Sequence, residues 1–371
     1  MKRSHPMRHN RLHGWALAAA VAGLPLLTDP SPPPVDQPPH PVPAAVADRP
    51  LPSAVPESSG LALSPSHPGI VWTHNDSDNP AVIFALDRRG AVAARVSVRG
   101  VPARDWEAIA AWRDARGKAF LALADTGDNR AERTSVEIDV LTEPALRSAP
   151  VTPLRRIELR YPDGLAADAE ALLVDPRSSR MYLVTKGLLR SRIFAVPDTA
   201  WPGDDANPVA SAVLQPVGAV GLQLVTDGTA LASGHALLRT YGSLMLLAPL
   251  DTGVHPLATV ALPMQPQGEG LAATDTAIYL SSEGADADIL RMPMPDTFRR
   301  ELGSASPAPP SPPAGSVGAN PGSGPGSDPG AGPDSRLAVE LGLGGLLLVV
   351  LVGVAGLVRR RGRHGRPSRG D

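Results

Sequence analysis

The sequence predicts an all-β fold, a β-propeller of five blades, on three observations. One pattern recurs five times between Glu57 and Glu283, each copy consists of short apolar runs of strand length, and no useful helical periodicity interrupts them before Pro295. The copies read ESSGLAL…IVWTHND…VIFALD from Glu57, EAIAAW…FLALADTGD…SVEIDVL from Glu107 and EALLVD…MYLVTKG…RIFAVP from Glu170. Two more follow, DGTALA…ALLRTYG…LMLLAPL from Asp227 and EGLAAT…AIYLSSEG…DILRMPM from Glu269. Self-similarity at a period of roughly 40 to 60 residues, with every unit built of strands, marks radial repetition.

Each unit fits a four-stranded antiparallel blade. In the second, Glu107–Trp112, Phe120–Ala124, Val136–Leu141 and Arg156–Tyr161 read as its strands from the hub outward. Period-two alternation in the third sends Met181, Leu183 and Thr185 one way and Tyr182, Val184 and Lys186 the other. Turn signals such as Asp87-Arg88-Arg89-Gly90 and Asp163-Gly164 separate the runs. The fifth unit has no outer strand of its own, so the run from Leu51 to Val55 is expected to supply it and close the ring. Its prolines suit an edge, where a missing N–H costs little. The segment from Asp198 to Gly221 is long enough to hide further strands, which keeps six blades as the alternative.

The ends differ in kind from the middle. Residues 1–28 read as a signal peptide, with Lys2, Arg3, Arg8 and Arg11 ahead of the apolar stretch Trp15–Leu27. Residues 29–48 form a proline-rich spacer, 49–300 the propeller and 301–336 a Gly/Pro/Ser-rich stalk. Residues 337–358 read as a C-terminal transmembrane helix. Its apolar run Leu341–Val358, at 1.5 Å per residue, is about long enough to span the hydrocarbon layer. The arginine-rich tail 359–371 places that end in the cytoplasm and the propeller outside. The expected protein is therefore a single-pass membrane protein that meets an extracellular ligand or protein. Net charge is −2, so nucleic acid is not an expected partner.

Chemistry is bounded by what is missing. There is no cysteine, so disulfides and thiolate metal sites are excluded. No G-x-S-x-G elbow, P-loop, dinucleotide-binding glycine pattern or H-E-x-x-H occurs in the repeat region. The four histidines there, His67, His74, His235 and His255, are too scattered to suggest an imidazole site.

Propeller topology supplies a candidate instead. The first strand of a blade is innermost and the second runs back beside it, so the start of one and the end of the other share a mouth of the channel. Those positions hold Glu57 with Asn75 and Asp76, Glu107 with Asp125 and Asp128, Glu170 with Lys186, Asp227 with Arg239, and Glu269 with Glu283. Converging carboxylates favour a hard cation, so Glu57, Asp76, Glu107, Asp125, Asp128, Glu269 and Glu283 are candidate ligands for Ca²⁺ or Mg²⁺. Asn75, Lys186 and Arg239 are candidates to hold an anionic ligand. Glu107 and His74 are candidates for proton transfer. The plainer interpretation is a ring of ion pairs that satisfy one another, with Trp72 and Trp106 as packing.

The phrases ESSGLA, WTHND, DWEAIA, ADTGDN, DAEALLVDP and QGEGLA, in that order over roughly Glu57 to Met294, resemble a family of secreted actinobacterial propeller proteins described as NHL- or WD40-like, or loosely phytase-like. That resemblance implies the fold and carries no assigned chemistry. An opening Glu followed by a Trp-containing strand and Asp also resembles, more remotely, the metal-dependent lactonase propellers of the gluconolactonase (SMP-30) type. Two functions are therefore expected in order: a binding module presented at the cell surface, or a Ca/Mg-dependent hydrolase of phosphoesters or lactones. A quinone-dependent sugar oxidoreductase stands behind both.

Overall fold

Strands whose two faces are both apolar need a partner on each side, and the chain meets that need by stacking five sheets around an axis. The computed structural model describes residues 44–77, 79–201, 208–221 and 224–304. All lie in the first of the chain's two units, residues 1–308. Strand β1 (Val46–Pro50) precedes the repeats. Blade one is β2 (Ser58–Leu63), β3 (Val71–Asn75), β4 (Val82–Leu86) and β5 (Val92–Ser97). Blade two is β6 (Trp106–Arg113), β7 (Ala119–Asp125), β8 (Val136–Thr142) and β9 (Arg155–Arg160). Blade three begins with β10 (Ala169–Val174), β11 (Met181–Thr185) and β12 (Ser191–Ala195). Next come β13 (Val209–Val213) and β14 (Gln215–Val220). Blade four is β15 (Val225–Ala230), β16 (Ala236–Thr240), β17 (Ser243–Leu247) and β18 (Pro256–Ala261). Blade five opens with β19 (Gly268–Ala273), β20 (Ala277–Ser282) and β21 (Asp288–Pro293), and helix α1 (Asp296–Ser304) follows.

The sheets answer the blade count. There are five, and the innermost strands touch in the closed order β2, β6, β10, β15, β19 and back to β2. The long segment before Gly221 does hold two strands, but they build no sixth blade. β14 completes blade three, and β13 lies parallel to β9 as a fifth strand of blade two. Closure comes from the start of the chain, as expected, through a different stretch. β1, at Val46–Pro50, pairs antiparallel with β21 and completes blade five. Leu51 and Val55, expected in that strand, are instead buried between blades five and one. The ordered ring thus reaches further back than residue 49, and α1 runs past residue 300.

Five apolar clusters fill the five seams. Trp72, Ile83 and Leu121 lie between blades one and two, Phe120, Met181 and Leu183 between two and three, and Tyr182, Val184 and Leu238 between three and four. Leu237, Leu280 and Met292 fill the seam between four and five, where Phe298 of α1 also inserts, and Leu61, Phe84 and Ile289 fill the last. Alternation along β11 therefore does send residues to two sides, both of them core. Trp72 and Trp106 are buried packing residues. No helix among the described residues is long and apolar enough to cross a membrane, and residues 337–358 lie outside them.

Arg49 ties the closing strand to the next blade. It is buried, donates from Nη1 to the carbonyls of Gly69 (3.0 Å) and Asp87 (2.9 Å) in blade one, and pairs with Asp48 at 2.7 Å. Replacing Arg49 by Ala leaves those carbonyls without their donor. A loss of roughly 1.5–3 kcal/mol is expected for hydrogen bonds to a charged group, which at about 2–4 °C per kcal/mol for a domain of this size gives a fall in Tm of several degrees. A thermal melt of Arg49→Ala that matches the parent chain would show that the latch does not hold the ring.

Candidate functional site: an acidic cup at the hub

Every innermost strand carries the same irregularity at its start. The register against its neighbour slips between Ser58 and Gly60, Trp106 and Ala108, Ala169 and Ala171, Val225 and Asp227, and Gly268 and Leu271. Each slip is a β-bulge, which adds unpaired backbone and re-aims a side chain. The bulged positions are Ser59, Glu107, Glu170, Thr226 and, with Gly270, Glu269. Two residues ahead of each stand Glu57, Asp105, Asp168, Leu224 and Gln267. Just past each second strand stand Asp76, Thr126, Lys186, Tyr241 and Glu283. Backbone bonds repeat the correspondence: Asp76 N–H donates to Glu57 O (3.0 Å), Lys186 to Asp168 O (2.9 Å) and Glu283 to Gln267 O (2.9 Å).

These layers make a cup. Asp76, Asp105 and Glu107 bring one carboxylate oxygen each to within 4.8 Å of one another, and Glu107, Asp168 and Glu170 do the same. Glu107, Glu170 and Glu269 are buried as its floor, whereas Asp76, Asp105 and Asp168 are half-buried around it. Lys186 Nζ donates to Glu170 Oε1 at 2.9 Å and lies 5.6 Å from the centre of the Tyr241 ring. The Tyr241 hydroxyl donates to Glu269 Oε1 at 3.3 Å, and the Ser59 hydroxyl to Glu107 Oε2 at 3.3 Å. Glu170 Oε2 is buried and receives no hydrogen bond among the described residues. Gly127 is required here, because a Cβ at that position would overlap Glu107 Oε1 and Asp105 Oδ2.

Of the expected ligands, Asp76, Glu107 and Glu269 meet at the cup, and the Glu170–Lys186 pair forms. The others are spent elsewhere. Asp125 accepts the N–H groups of Arg104 and Asp105 and pairs with Arg133 at 2.7 Å, which fixes the loop that leads into β6. Asp128 accepts the N–H groups of Glu132 and Arg133. Glu57 accepts from Asn79, and Glu283 accepts from Gln267; neither belongs to a trio. Asn75, the last residue of β3, donates to Ala54 O and accepts from Glu57 N–H.

Two further expectations need correction. Arg239 does not reach across the channel. It is wholly buried in the seam to blade five, where it donates to the carbonyls of Gly270 (2.6 Å) and Ser281 (2.8 Å), and burial lowers its pKa to about 10. His74 is also wholly buried, with Nδ1 bonded to its neighbour's carbonyl at 3.0 Å and Nε2 against Gly60. Burial lowers its pKa to about 4, and the hydrogen bond to Asn75 offsets that only in part.

Asp105, Asp168 and Tyr241 were not foreseen. The first two had a visible signal, D-x-E in DWEAIA and DAEALL, two residues ahead of the glutamates already singled out. Tyr241 had none beyond its place after a second strand.

Charge is unbalanced in the cup. Among the described residues, six carboxylates face one ammonium, with Arg133 and Arg239 acting on Asp105 and Glu269 from outside the cup, and burial makes the imbalance costly. Burial, then the charges of Asp76 and Asp168, raises the Asp105 carboxyl to about 7. Burial and then Glu170, Asp76, Asp105 and Glu269 push Glu107 well above the usual carboxylate range. Glu170 and Glu269 are raised by burial as well, although Lys186 pulls both back. Lys186 is itself desolvated, yet Glu170, Glu269 and their neighbours hold its proton firmly.

No protein-family model matches the chain and no curated protein matches it. The family resemblance of its motifs therefore rests on those motifs. Among solved structures, it is similar to hydrazine synthase of Kuenenia stuttgartiensis (15% identity, TM-score 0.33), which covers 62% of this chain and 56% of that one. A gluconolactonase of Xanthomonas campestris shares 12% identity over 66% of this chain and 88% of its own, with TM-score 0.35. Sqt1 of Chaetomium thermophilum, solved with the N-terminus of a ribosomal protein, shares 12% over 64% and 58%, with TM-score 0.32. The chain thus spans little more than half the length of the first and third. Likenesses this faint say nothing of chemistry, and the ring of five blades stands on its own strand order.

The raised carboxyl pKa values fix a sign. Between the unfolded value near 4 and the folded value of about 7, the folded cup binds more protons than the unfolded chain, so its stability falls as pH rises through that window. His74 works the other way between 6.5 and about 4, as a single group against six, because burial raises Asp139 and Asp227 as well. In chelator, Tm is expected to drop between about pH 5 and pH 8, and Asp105→Asn to flatten the drop. A chelated protein that gains stability over that range would contradict the charge balance described.

Proposed function

We propose that the hub binds a hard divalent cation, Ca²⁺ or Mg²⁺, and through it the anionic or oxygen-rich part of a ligand. The propeller in this reading is a binding module, held outside the cell by the span at 337–358 with its arginine tail inside. The supporting observation is the charge of the cup: among the described residues, six carboxylates surround one ammonium, and Glu170 Oε2 is buried with no hydrogen bond. Ion pairs that satisfied one another would leave no such excess. An oxygen-only donor set with carboxylates of this density suits Ca²⁺ or Mg²⁺, and no thiolate or histidine contributes. Lys186 stands at the edge of the cup, where it would hold an anionic oxygen shared with the cation.

Hydrolysis of a phosphoester or lactone at the same mouth is the second reading, and Asp105 favours it. In the metal-free cup its half-buried carboxyl is raised to about 7 by burial and then by Asp76 and Asp168, so it is placed among the acids as a group able to carry a proton. A bound cation would supply Lewis acidity to such a site.

Melting the chelator-stripped chain with Ca²⁺, Mg²⁺ and Mn²⁺ tests the first reading. A cation at a hundredfold its Kd should add about 2.7 kcal/mol, seen as a rise in Tm, and Glu107→Gln should remove the rise. Indifference to all three ions would end the proposal. Turnover of aryl phosphates or lactones that needs the cation and is lost in Asp105→Asn separates the hydrolase from the binding module. A further variant probes the cradle: Gly127→Ala should weaken cation binding at least tenfold by pressing on Glu107 and Asp105, and unchanged affinity would mean those oxygens are not ligands.

A further inference from the structure

We propose that the cup holds two divalent cations bridged by the carboxylate of Glu107, an inference that rests on the cation reading above. The two trios, Asp76/Asp105/Glu107 and Glu107/Asp168/Glu170, share that one residue. They are also built alike. Each takes the D-x-E pair at the head of one innermost strand and adds one carboxylate from the blade before it. The added carboxylate differs in origin: Asp76 follows the second strand of blade one, whereas Glu107 is the bulge residue of blade two. The remaining blades break the pattern, with Glu57-x-Ser59 in blade one, Leu224-x-Thr226 in blade four and Gln267-x-Glu269 in blade five. Two complete pairs give two sites.

The dimensions agree. Oxygens on opposite sides of Ca²⁺ stand roughly 4.6–5.2 Å apart, twice the usual bond length, and each trio keeps its oxygens within 4.8 Å. A carboxylate shared by two trios is the bridge that sets cations about 3.5–4 Å apart in two-metal centres. The second trio has an observation of its own. Glu170 is 1% exposed, gives Oε1 to Lys186 at 2.9 Å, and leaves Oε2 buried with no hydrogen bond among the described residues. Charge agrees as well. The five carboxylates of the two trios are balanced by two divalent cations together with the Lys186 ammonium. One cation would leave those five carboxylates with two uncompensated negative charges, and Glu269 adds a third to the cup.

Mn²⁺ is the probe, because it takes oxygen ligands and reports its neighbours magnetically. The full chain, stripped with chelator and dialysed against excess Mn²⁺, should retain two ions per chain by elemental analysis. Its electron paramagnetic resonance spectrum should show exchange coupling in place of the isolated six-line signal. Asp76→Asn and Asp168→Asn should each lower the count to one and restore the six lines, with cooperative melting confirming that each variant folds. A parent chain that retains one uncoupled ion overturns the pair and leaves the cation reading intact. Retention of none overturns both. Two ions in Asp76→Asn, still coupled, would mean that the trios are not the sites.

Discussion

An innermost strand that paired residue for residue with its neighbour would send successive side chains alternately into two seams, and both seams are apolar. No polar residue could reach the axis without sitting in a core. The bulge at the head of each innermost strand breaks that alternation at one place. It spends one extra residue per blade and frees that residue from the pleat. Glu107, Glu170 and Glu269 owe their convergence to this device, and so do the neutral Ser59 and Thr226 in the other blades. The loop residue two places earlier and the residue past the second strand flank it by simple chain continuity. Every property of the hub follows from where the register slips.

Gathering acids this way costs stability, and the rest of the ring supplies it. Five seams of interlocked aliphatic and aromatic side chains hold the blades, and a strand from the far end of the chain closes the circle. Several buried polar groups outside the hub are engaged by the backbone or uncharged. Asp227 accepts the N–H groups of Gly228 (2.7 Å) and Leu271 (2.6 Å), Arg239 gives its protons to carbonyls, and His74 stays uncharged. Among the described residues, the cup gathers the largest group of buried carboxylates. Like charges gathered in a desolvated cup repel one another, and a cationic ligand at the axis would relieve that repulsion.

Strands were legible in the sequence because blade stacking makes both faces apolar, which yields short, dense hydrophobic runs. All four strands of blade two fall within a residue of where the pattern put them. The phase of the hub was harder. Taking each repeat to open on its acidic residue aligned Glu107, Glu170 and Glu269 correctly and misplaced two blades. Glu57 corresponds to Asp105 and Asp168, not to Glu107, and Asp227 sits one residue past the bulge, where it points into a seam. A bulge is a property of pairing between strands, so a single strand's sequence does not announce it. Asp125 and Arg239 were mistaken for hub residues for the same reason. The closing strand was misjudged by five residues because Val46–Pro50 is mostly exposed and carries Asp48, Arg49 and Pro50 with no apolar run, an edge whose pairing is set by backbone and by Arg49.

Repetition and function pull in different directions here, and the bulge reconciles them. A backbone irregularity can recur five times without dictating which side chain it carries, since its geometry depends on hydrogen-bond register alone. The scaffold can therefore be fivefold while the chemistry is lopsided. Blades two and three present paired acids, blade one adds Asp76, blade three adds Lys186, and blade four faces them with Tyr241, Thr226 and Leu224. A hub with the same acids in every blade would repel itself apart, and one with a cation for every acid would have nothing left to bind with. The uneven arc lies between those limits, and it can arise only where the repeat fixes position and leaves identity free.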